Sequence, residues 1–358
     1  MPSLKEIKGR INSISSTLAI TSAMKMVAAA KLQKAQMAIQ NMLPYERRLH
    51  SMLIDLMGAM NISAAASEDG SVRGSGSAER GFDQSGDRLS LSNRHDLAGM
   101  DGAYSLMAQR EVRKVAIVAF ASNSSLCGAF NSNAIREATA VINEYRASGL
   151  RDSDIVVYSV GRKMAEAMRK LGFPSPADFT KMSDSPSYEA ASALAQELLD
   201  GFVSGRFDKV ELVYNHYKST SSQPTTRQTY LPLSLADAIA DLQAGKITDS
   251  ASETDTNRGA EPVGAPVVRQ GSPTTEDLIV EPSKEALIAT LLPKVIRLRI
   301  FTTLLDSAAA EHAARTVAMQ LATDNGNDLL QELTLEYNKG RQQKITSEIL
   351  DLVGGSMQ

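Results

Sequence analysis

The feature that most constrains the fold is a long apolar stripe at the beginning of the chain. Apolar or small residues recur at alternating spacings of three and four from Leu4 to Met60, interrupted by Thr21, Lys25 and Glu46. A stripe of this kind follows one face of an α-helix, and about eight heptads exceed the three or four that indicate a coiled coil. At about 1.5 Å per residue it predicts a rod of roughly 85 Å, kinked at Pro44.

The end of the chain carries a second stripe of the same kind. No proline occurs between Pro293 and Val353, and the apolar spacing continues from Leu305 to Leu352 until Gly354 and Gly355 end the helix. Two rods of similar length at opposite ends of one chain pair most simply as an antiparallel coiled coil. Small residues are expected to line the seam where the backbones approach: Ala28, Ala29, Ala30, Ala308, Ala309, Ala310, Ala313 and Ala314.

Between the rods the periodicity changes to short β-rich runs that alternate with helical segments. Runs begin at Val115, Ile155 and Val210, and a further edge strand is expected from Gln228 to Leu233. This alternation predicts an α/β fold: a Rossmann-like α/β sandwich with a largely parallel sheet.

Two segments lack any such pattern. Residues 62–104 are rich in Gly and Ser, and residues 248–282 are acidic and rich in Pro, so neither buries enough apolar surface to offset its ordering entropy. The predicted organisation is an N-terminal coiled-coil helix (1–61), a flexible insertion (62–106), an α/β globular domain (107–247), a flexible acidic insertion (248–283) and a C-terminal coiled-coil helix (284–358).

Composition excludes several protein classes. The longest apolar runs are far shorter than the roughly 20 residues that span a bilayer, and the first residues lack the apolar core of a signal peptide. A lone Cys127 excludes an internal disulfide framework. The net charge of −3 argues against general nucleic-acid binding, although residues 1–48 hold eight basic and two acidic side chains, a local charge of +6. This basic segment is interpreted either as a solvated helix face or as a contact for an acidic partner.

No reactive cluster is apparent. A phosphate-binding GxxxxGK[ST] loop is missing, and the four histidines stand apart without metal-ligand spacing. Cys127 with a distant His216 has no nucleophile signature, and Ser124 and Ser125 lie either in a phosphate-binding loop or in an ordinary strand-to-helix connection. His312 lies on the coiled-coil stripe, where a packed histidine is the simpler interpretation. We therefore expect no catalytic residue, no cofactor and no metal.

Three stretches resemble a known family. The runs Met24-Lys25-Met26-Val27-Ala28 and Glu311-His312-Ala313-Ala314-Arg315, and more loosely Leu126-Cys127-Gly128-Ala129-Phe130-Asn131, are similar to the γ subunit of rotary F-type ATP synthases. Where that family usually has Asp, a basic residue and Gly before the last run, this chain has Asn123, Ser124 and Ser125.

The resemblance implies a central rotor shaft that is not itself catalytic. Its coiled coil would stand inside a ring of three α and three β subunits, and its globular domain would meet the ε subunit and the membrane ring of c subunits. Such a chain would lie at the cytoplasmic side of a bacterial cell membrane as a peripheral protein and would couple proton flow to ATP synthesis or hydrolysis.

The resemblance also implies which residues meet the partners. The contact with the acidic lever of β falls on Met24, Lys25 and Met26, and Lys25 is either paired with a partner carboxylate or a lysine that extends off the seam. The middle of the second helix contributes Glu311, Arg315, Met319, Thr323 and Asn325. A polar collar comprises Arg341, Gln342, Gln343, Thr346 and Glu348. An apolar tip seated in a sleeve of α and β comprises Ile345, Ile349, Leu352 and Val353.

Two other hypotheses are considered. The chain is alternatively a homodimeric coiled-coil scaffold with the α/β domain as a cargo binder, or a small-molecule-binding enzyme built on that domain. The rotor requires one copy among three α and three β subunits, whereas the scaffold requires a symmetric dimer.

Overall fold

Two long helices at the ends of the chain dominate the architecture. The structure, a computed structural model, describes residues 3–68, 106, 110–233 and 283–355. Helix α1 spans Leu4–Glu68 with 65 residues, and helix α6 spans Lys284–Gly355 with 72 residues. Both continue through an internal proline.

The two helices pack against each other in antiparallel register. Leu4 lies against Gly340, Leu18 against Gly326, and Thr21 bonds to Thr323, so positions on α6 descend as those on α1 rise. The predicted antiparallel coiled coil is therefore confirmed.

Only part of the expected alanine seam lies between the helices. Leu32 and Ala35 of α1 form a buried cluster with Ala309 and Ala313 of α6. The prediction was wrong for Ala29 and Ala30: they are exposed while Ala28 is buried, because successive residues on a helix are about 100° apart and a narrow seam takes one of three. Another departure is Ala310, which packs against Cys127 and Phe130 of the globular domain.

The insertions predicted at 62–106 and 248–283 fall almost wholly outside the described residues. Helix α1 continues to Glu68, seven residues past the boundary placed at residue 61. Helix α6 begins at Lys284, where the second coiled-coil segment was expected to begin.

A four-stranded sheet forms the centre of the globular domain. The strands are β1 (Val115–Phe120), β2 (Ile155–Val160), β3 (Lys209–Asn215) and β4 (Thr225–Leu231). Their order is β2-β1-β3-β4, with β1 parallel to both neighbours and β4 antiparallel at the edge. Every residue of β1 is buried, as expected of the central strand in a sheet covered on both faces.

Helices cover both faces of the sheet. They are α2 (Phe130–Ala147), α3 (Arg162–Lys170), α4 (Thr180–Asp184) and α5 (Tyr188–Val203). Side chains of α2 and α3 form one core layer with Val115 and Ile117 of β1. The predicted α/β sandwich beside a coiled coil is thus confirmed.

The second core layer joins the globular domain to the base of the coiled coil. Leu49 and Leu53 of α1 and Leu292 and Ile296 of α6 belong to the same buried cluster as Leu194 of α5. Burying a leucine contributes about 1.5–3 kcal/mol. The first part of α6 is therefore a core element of the domain, and only its later part projects.

One buried carboxylate organises the edge of the sheet. Glu211 of β3 is 1% exposed and accepts hydrogen bonds from Arg227 of β4 and Tyr145 of α2, with Lys209 2.6 Å away. Burial acts to raise the pKa of Glu211, but these donors outweigh it and hold the pKa below its ordinary value.

Candidate partner-contact site

The lever-contact segment of α1 is partly engaged within the chain. The half-buried Lys25 donates from Nζ to Oε1 of Gln320 on α6 at 2.5 Å, and Nε2 of Gln320 donates to both carboxylate oxygens of Asp324 at 2.8 and 2.9 Å. The polar residue on the apolar stripe thus has a partner across the seam. Met24 is half-buried, whereas Met26 is 63% exposed and points away from the seam.

Further apolar side chains are exposed on both helices of the projecting coil. Their exposure leaves apolar surface uncovered on an isolated chain. They are Ile20, Met26, Val27, Leu321, Leu329 and Leu335.

Most of the residues expected in the middle of α6 face inward. Glu311 is 7% exposed and accepts a hydrogen bond of 2.7 Å from Arg315, which also donates to Oγ of Ser124 at 2.6 Å. Burial raises the pKa of the Glu311 carboxyl, although Arg315 acts in the opposite direction. Met319 is buried at the seam, and Thr323 donates to the Met319 carbonyl.

Only Asn325 of that group is exposed. The stripe and the resemblance did not show which way these side chains point, because a helix that packs against a domain as well as another helix buries two faces. Glu311 and Arg315 lie on the face toward the domain.

The loop after β1 docks onto α6. Asn131 donates from Nδ2 to Ser122 Oγ, to the Ser124 carbonyl and to Cys127 Sγ, and Leu126 has a φ of 69°. Because the Ser124 hydroxyl accepts from Arg315, the strand-to-helix connection is the interpretation that the contacts favour over a phosphate-binding loop.

The long helix covers part of the sheet edge where parallel α/β folds bind ligands. In such folds the crevice lies at the carboxyl ends of the strands, where the strand order reverses. Here Leu304, Ser307 and Glu311 of α6 pack against Phe120 at the carboxyl ends of β1 and β2, leaving a cavity of only about 10 Å³ there, about the space of one water. A nucleotide does not fit there.

A further contact between the globular domain and the coil was not predicted from the sequence. His216 and Tyr217, at the start of the turn between β3 and β4, both bond to Asp306 of α6, and Tyr217 also bonds to Gln36 of α1. His216 is therefore paired with Asp306, whereas Cys127 contacts Ser122 and Asn131, so the two do not form a nucleophile and its base.

The end of α6 projects beyond α1. Leu4, the first residue of α1, lies against Gly340, so residues 341–355 extend about 22 Å further. Every side chain described there is exposed, and Leu352 is 74% exposed. The exposed residues include all members of the expected polar collar and three of the apolar tip: Arg341, Gln342, Gln343, Thr346, Glu348, Ile345, Ile349 and Leu352. The side chain of Val353 lies outside the described residues.

Neither a metal site nor a membrane span occurs in the described part of the chain. No three His, Cys, Asp or Glu side chains in the described ranges are grouped as metal ligands. Among the helices that the structure describes, none combines the length and apolarity that crossing a bilayer requires.

Comparison with known proteins identifies the family. A sequence model described as ATP synthase matches residues 3–357. The ATP synthase gamma chain of Phocaeicola vulgatus is 46% identical over 357 residues, covering 100% of both chains. The chain belongs to the ATP synthase gamma chain family. The gamma chain of Bacteroides thetaiotaomicron is 44% identical over 358 residues, again covering 100% of both chains. These relatives match the chain along its whole length, including the positions of both predicted insertions.

A solved structure supports the fold. A chain of the Euglena gracilis mitochondrial ATP synthase superposes with a TM-score of 0.53 at 18% identity, covering 99% of this chain and 93% of that one.

The family settles the choice among the three hypotheses. The chain is the non-catalytic central-stalk rotor subunit of an F1Fo ATP synthase, as the resemblance implied, and is neither a homodimeric scaffold nor an enzyme on its own α/β domain.

Proposed function

We propose that the projecting coil turns inside a ring of three α and three β subunits while the globular domain meets the ε subunit and the c-ring. In this arrangement the chain is peripheral to the cytoplasmic side of a bacterial cell membrane. Rotation changes the nucleotide affinity of each β subunit only through contacts that differ between the β states. The observation that carries the proposal is the bare end of α6, whose exposed apolar side chains have no partner within the described chain.

Three regions are assigned to the contact with the ring. The tip, beginning near Arg341, is a bearing that the α and β subunits surround. Met26 presents its exposed side chain to the lever of β, while Lys25, held by Gln320, whose amide nitrogen in turn bonds to Asp324, supplies a positioned positive charge. Of the middle group of α6, the inward-facing Glu311, Arg315, Met319 and Thr323 are assigned a supporting role, and Asn325 a direct contact.

Truncation after Tyr337 tests the bearing. We expect the truncated chain to assemble less complex and to lower ATP-driven proton pumping relative to ATP hydrolysis, because the tip no longer centres the shaft. Stability of the sheet domain should be nearly unchanged, since the described tip side chains lie beyond the globular core. Pumping and hydrolysis are measured on reconstituted complex, and thermal unfolding on the purified chain.

A second variant separates length from apolar character. Replacing Ile345, Ile349 and Leu352 with Ser keeps the helix length and should reproduce the coupling loss.

The same assay on Met26→Ser tests the lever contact, with Ser substituted at the exposed Ala29 as a control. Equal losses of sheet-domain stability and coupling, or full coupling in the Ser variants, would contradict the assignment.

A further inference from the structure

We propose that the turn between β3 and β4 is a brace that transmits torque from the globular domain to both long helices at once. The brace is defined as His216 and Tyr217 of the turn with Asp306 of α6 and Gln36 of α1. This inference rests on the proposed rotor function and identifies where, within the chain, force passes from domain to shaft.

The contact of the turn with α6 uses both oxygens of the Asp306 carboxylate. Asp306 Oδ2 lies 2.7 Å from Nδ1 of His216, and Oδ1 accepts from the Tyr217 backbone N–H at 2.9 Å. Two bonds from successive residues to one carboxylate restrain orientation as well as distance, and hydrogen bonds to an ionised acceptor are among the stronger ones. The turn therefore cannot rotate about α6 without breaking at least one of them.

The contact of the turn with α1 is made by Tyr217. The Tyr217 hydroxyl accepts from Nε2 of Gln36 at 2.7 Å. Its ring packs against the seam cluster of Leu32, Ala35, Ala309 and Ala313. One side chain of the domain thus contacts both helices.

The turn is stiff enough to carry load. The backbone of Ser222 bonds with that of Ser219 in both directions, His216 N–H donates to the Pro224 carbonyl, and Gln223 donates to the Ser219 carbonyl. With both ends continuing into strands of the sheet, the turn is an extension of the domain rather than a loose loop.

The position of the brace gives it mechanical importance. Toward the free ends, contacts such as Thr21 with Thr323 and Leu4 with Gly340 join helix to helix. The brace therefore lies near the base of the projecting coil, beside the Arg315–Ser124 contact, in the region where a torque on the domain enters the shaft. Apolar packing at the base is non-directional and allows the helices to rotate about their axes relative to the domain. Hydrogen bonds depend on angle and therefore resist that rotation.

The test uses assembled complex with two variants, Tyr217→Phe and Asp306→Ala. Tyr217→Phe keeps the ring and removes the bond to Gln36, and Asp306→Ala frees the Tyr217 amide. Loss of each bond should raise hydrogen exchange of the turn amides roughly fivefold. Single-molecule rotation should show a larger angular variance of a probe on the globular domain during catalytic pauses, with a lower ratio of proton pumping to ATP hydrolysis.

Tyr188→Phe is the matched control, because this exposed tyrosine keeps its ring contact with Phe301 and its hydroxyl makes no hydrogen bond to any described residue. If hydrogen exchange becomes faster but the angular variance of the probe is unchanged, the bonds hold the turn only locally and the proposal is overturned. Unchanged hydrogen exchange in the variants, or an equal increase of angular variance in the control, would also overturn it. If a probe on the unsubstituted complex does not rotate, the proposed function itself fails, which is a different result.

Discussion

At the scale of single residues, the two histidines beside the shaft have opposite electrostatic environments. Hydrogen bonding to Asp306 raises the pKa of His216 above its ordinary value, against the effect of burial. Burial lowers the pKa of His312 to about 4, with Arg315 and Lys31 adding repulsion, and its Nδ1 has no hydrogen-bond partner among the described residues. The sequence placed His312 on the packed stripe, but its environment depends on charges that come from another turn of α6 and from α1.

His312 should make the folded chain less stable in mild acid. Because its pKa is lower in the folded state than in the unfolded state, the unfolded chain binds more protons between about pH 6.5 and pH 4, and stability falls as pH decreases through that window. We expect His312→Gln to lose less stability than the unsubstituted chain between pH 7 and pH 5 in urea titrations of the full-length protein.

His216→Gln provides the contrast. The stability that His216 contributes to the folded chain is fully present below its unfolded pKa and is lost as pH rises through its raised folded pKa. Its effect on stability therefore changes in the neutral-to-alkaline range. Identical acid profiles for His312→Gln and the unsubstituted chain would show that His312 becomes protonated without cost in the fold.

At the scale of elements, the sequence predicted the helices and strands that a local residue pattern specifies, but not the contacts between segments distant in sequence. Strand β1 begins at Val115, where it was predicted to begin. The start of the antiparallel edge strand β4 was placed three residues late, because Thr225 to Arg227 are half-exposed and carry little apolar signal. The direction of Glu311 and Arg315 was beyond the pattern, since the partner that buries them is a loop distant in sequence. Tyr217 was missed for the same reason: nothing local distinguishes it from an ordinary turn residue.

Glycines in the two long helices separate helix propensity from seam packing. A Cβ added at Gly9 of α1 would meet nothing within 4 Å, whereas one at Gly326 of α6 would lie 2.6 Å from Cδ2 of Leu18. Gly9→Ala should stabilise the helix by about 1 kcal/mol. Gly326→Ala gains the same propensity but forces Leu18 to move, and overpacking typically costs about 1–3 kcal/mol.

The two variants should therefore differ by about 2 kcal/mol in unfolding free energy. Urea unfolding followed by circular dichroism of the full-length chain measures the difference. Equal stabilisation by both substitutions would indicate that the helices are not in contact at Gly326, and so would contradict the observed register.

At the scale of the whole molecule, stability is distributed unevenly along the shaft. Its base shares a core with the sheet, in which Leu53 of α1 and Leu292 and Ile296 of α6 are completely or almost completely buried. The projecting coil has only the seam between two helices, and its last residues have no seam at all. In the proposed arrangement the ring supplies the contacts that the projecting coil lacks, so the chain need not stabilise this part alone.

Hydrogen exchange of the free, full-length chain should show this gradient directly. Amides of α6 from Ile288 to Met319 should exchange slowly, through opening of the domain core, whereas those from Leu321 to Leu350 should exchange faster because local opening there exposes few buried side chains. The first turns of α1, which pair with this second segment, should be fast as well. Assembly into the complex should slow the projecting segments by a larger factor than the base, since their exposed side chains gain partners whereas the base is already buried in the domain core. Uniform protection along α6 in the free chain would mean that the coil is stable without the ring, and the exposed tip would then need an explanation other than a seat among partner subunits.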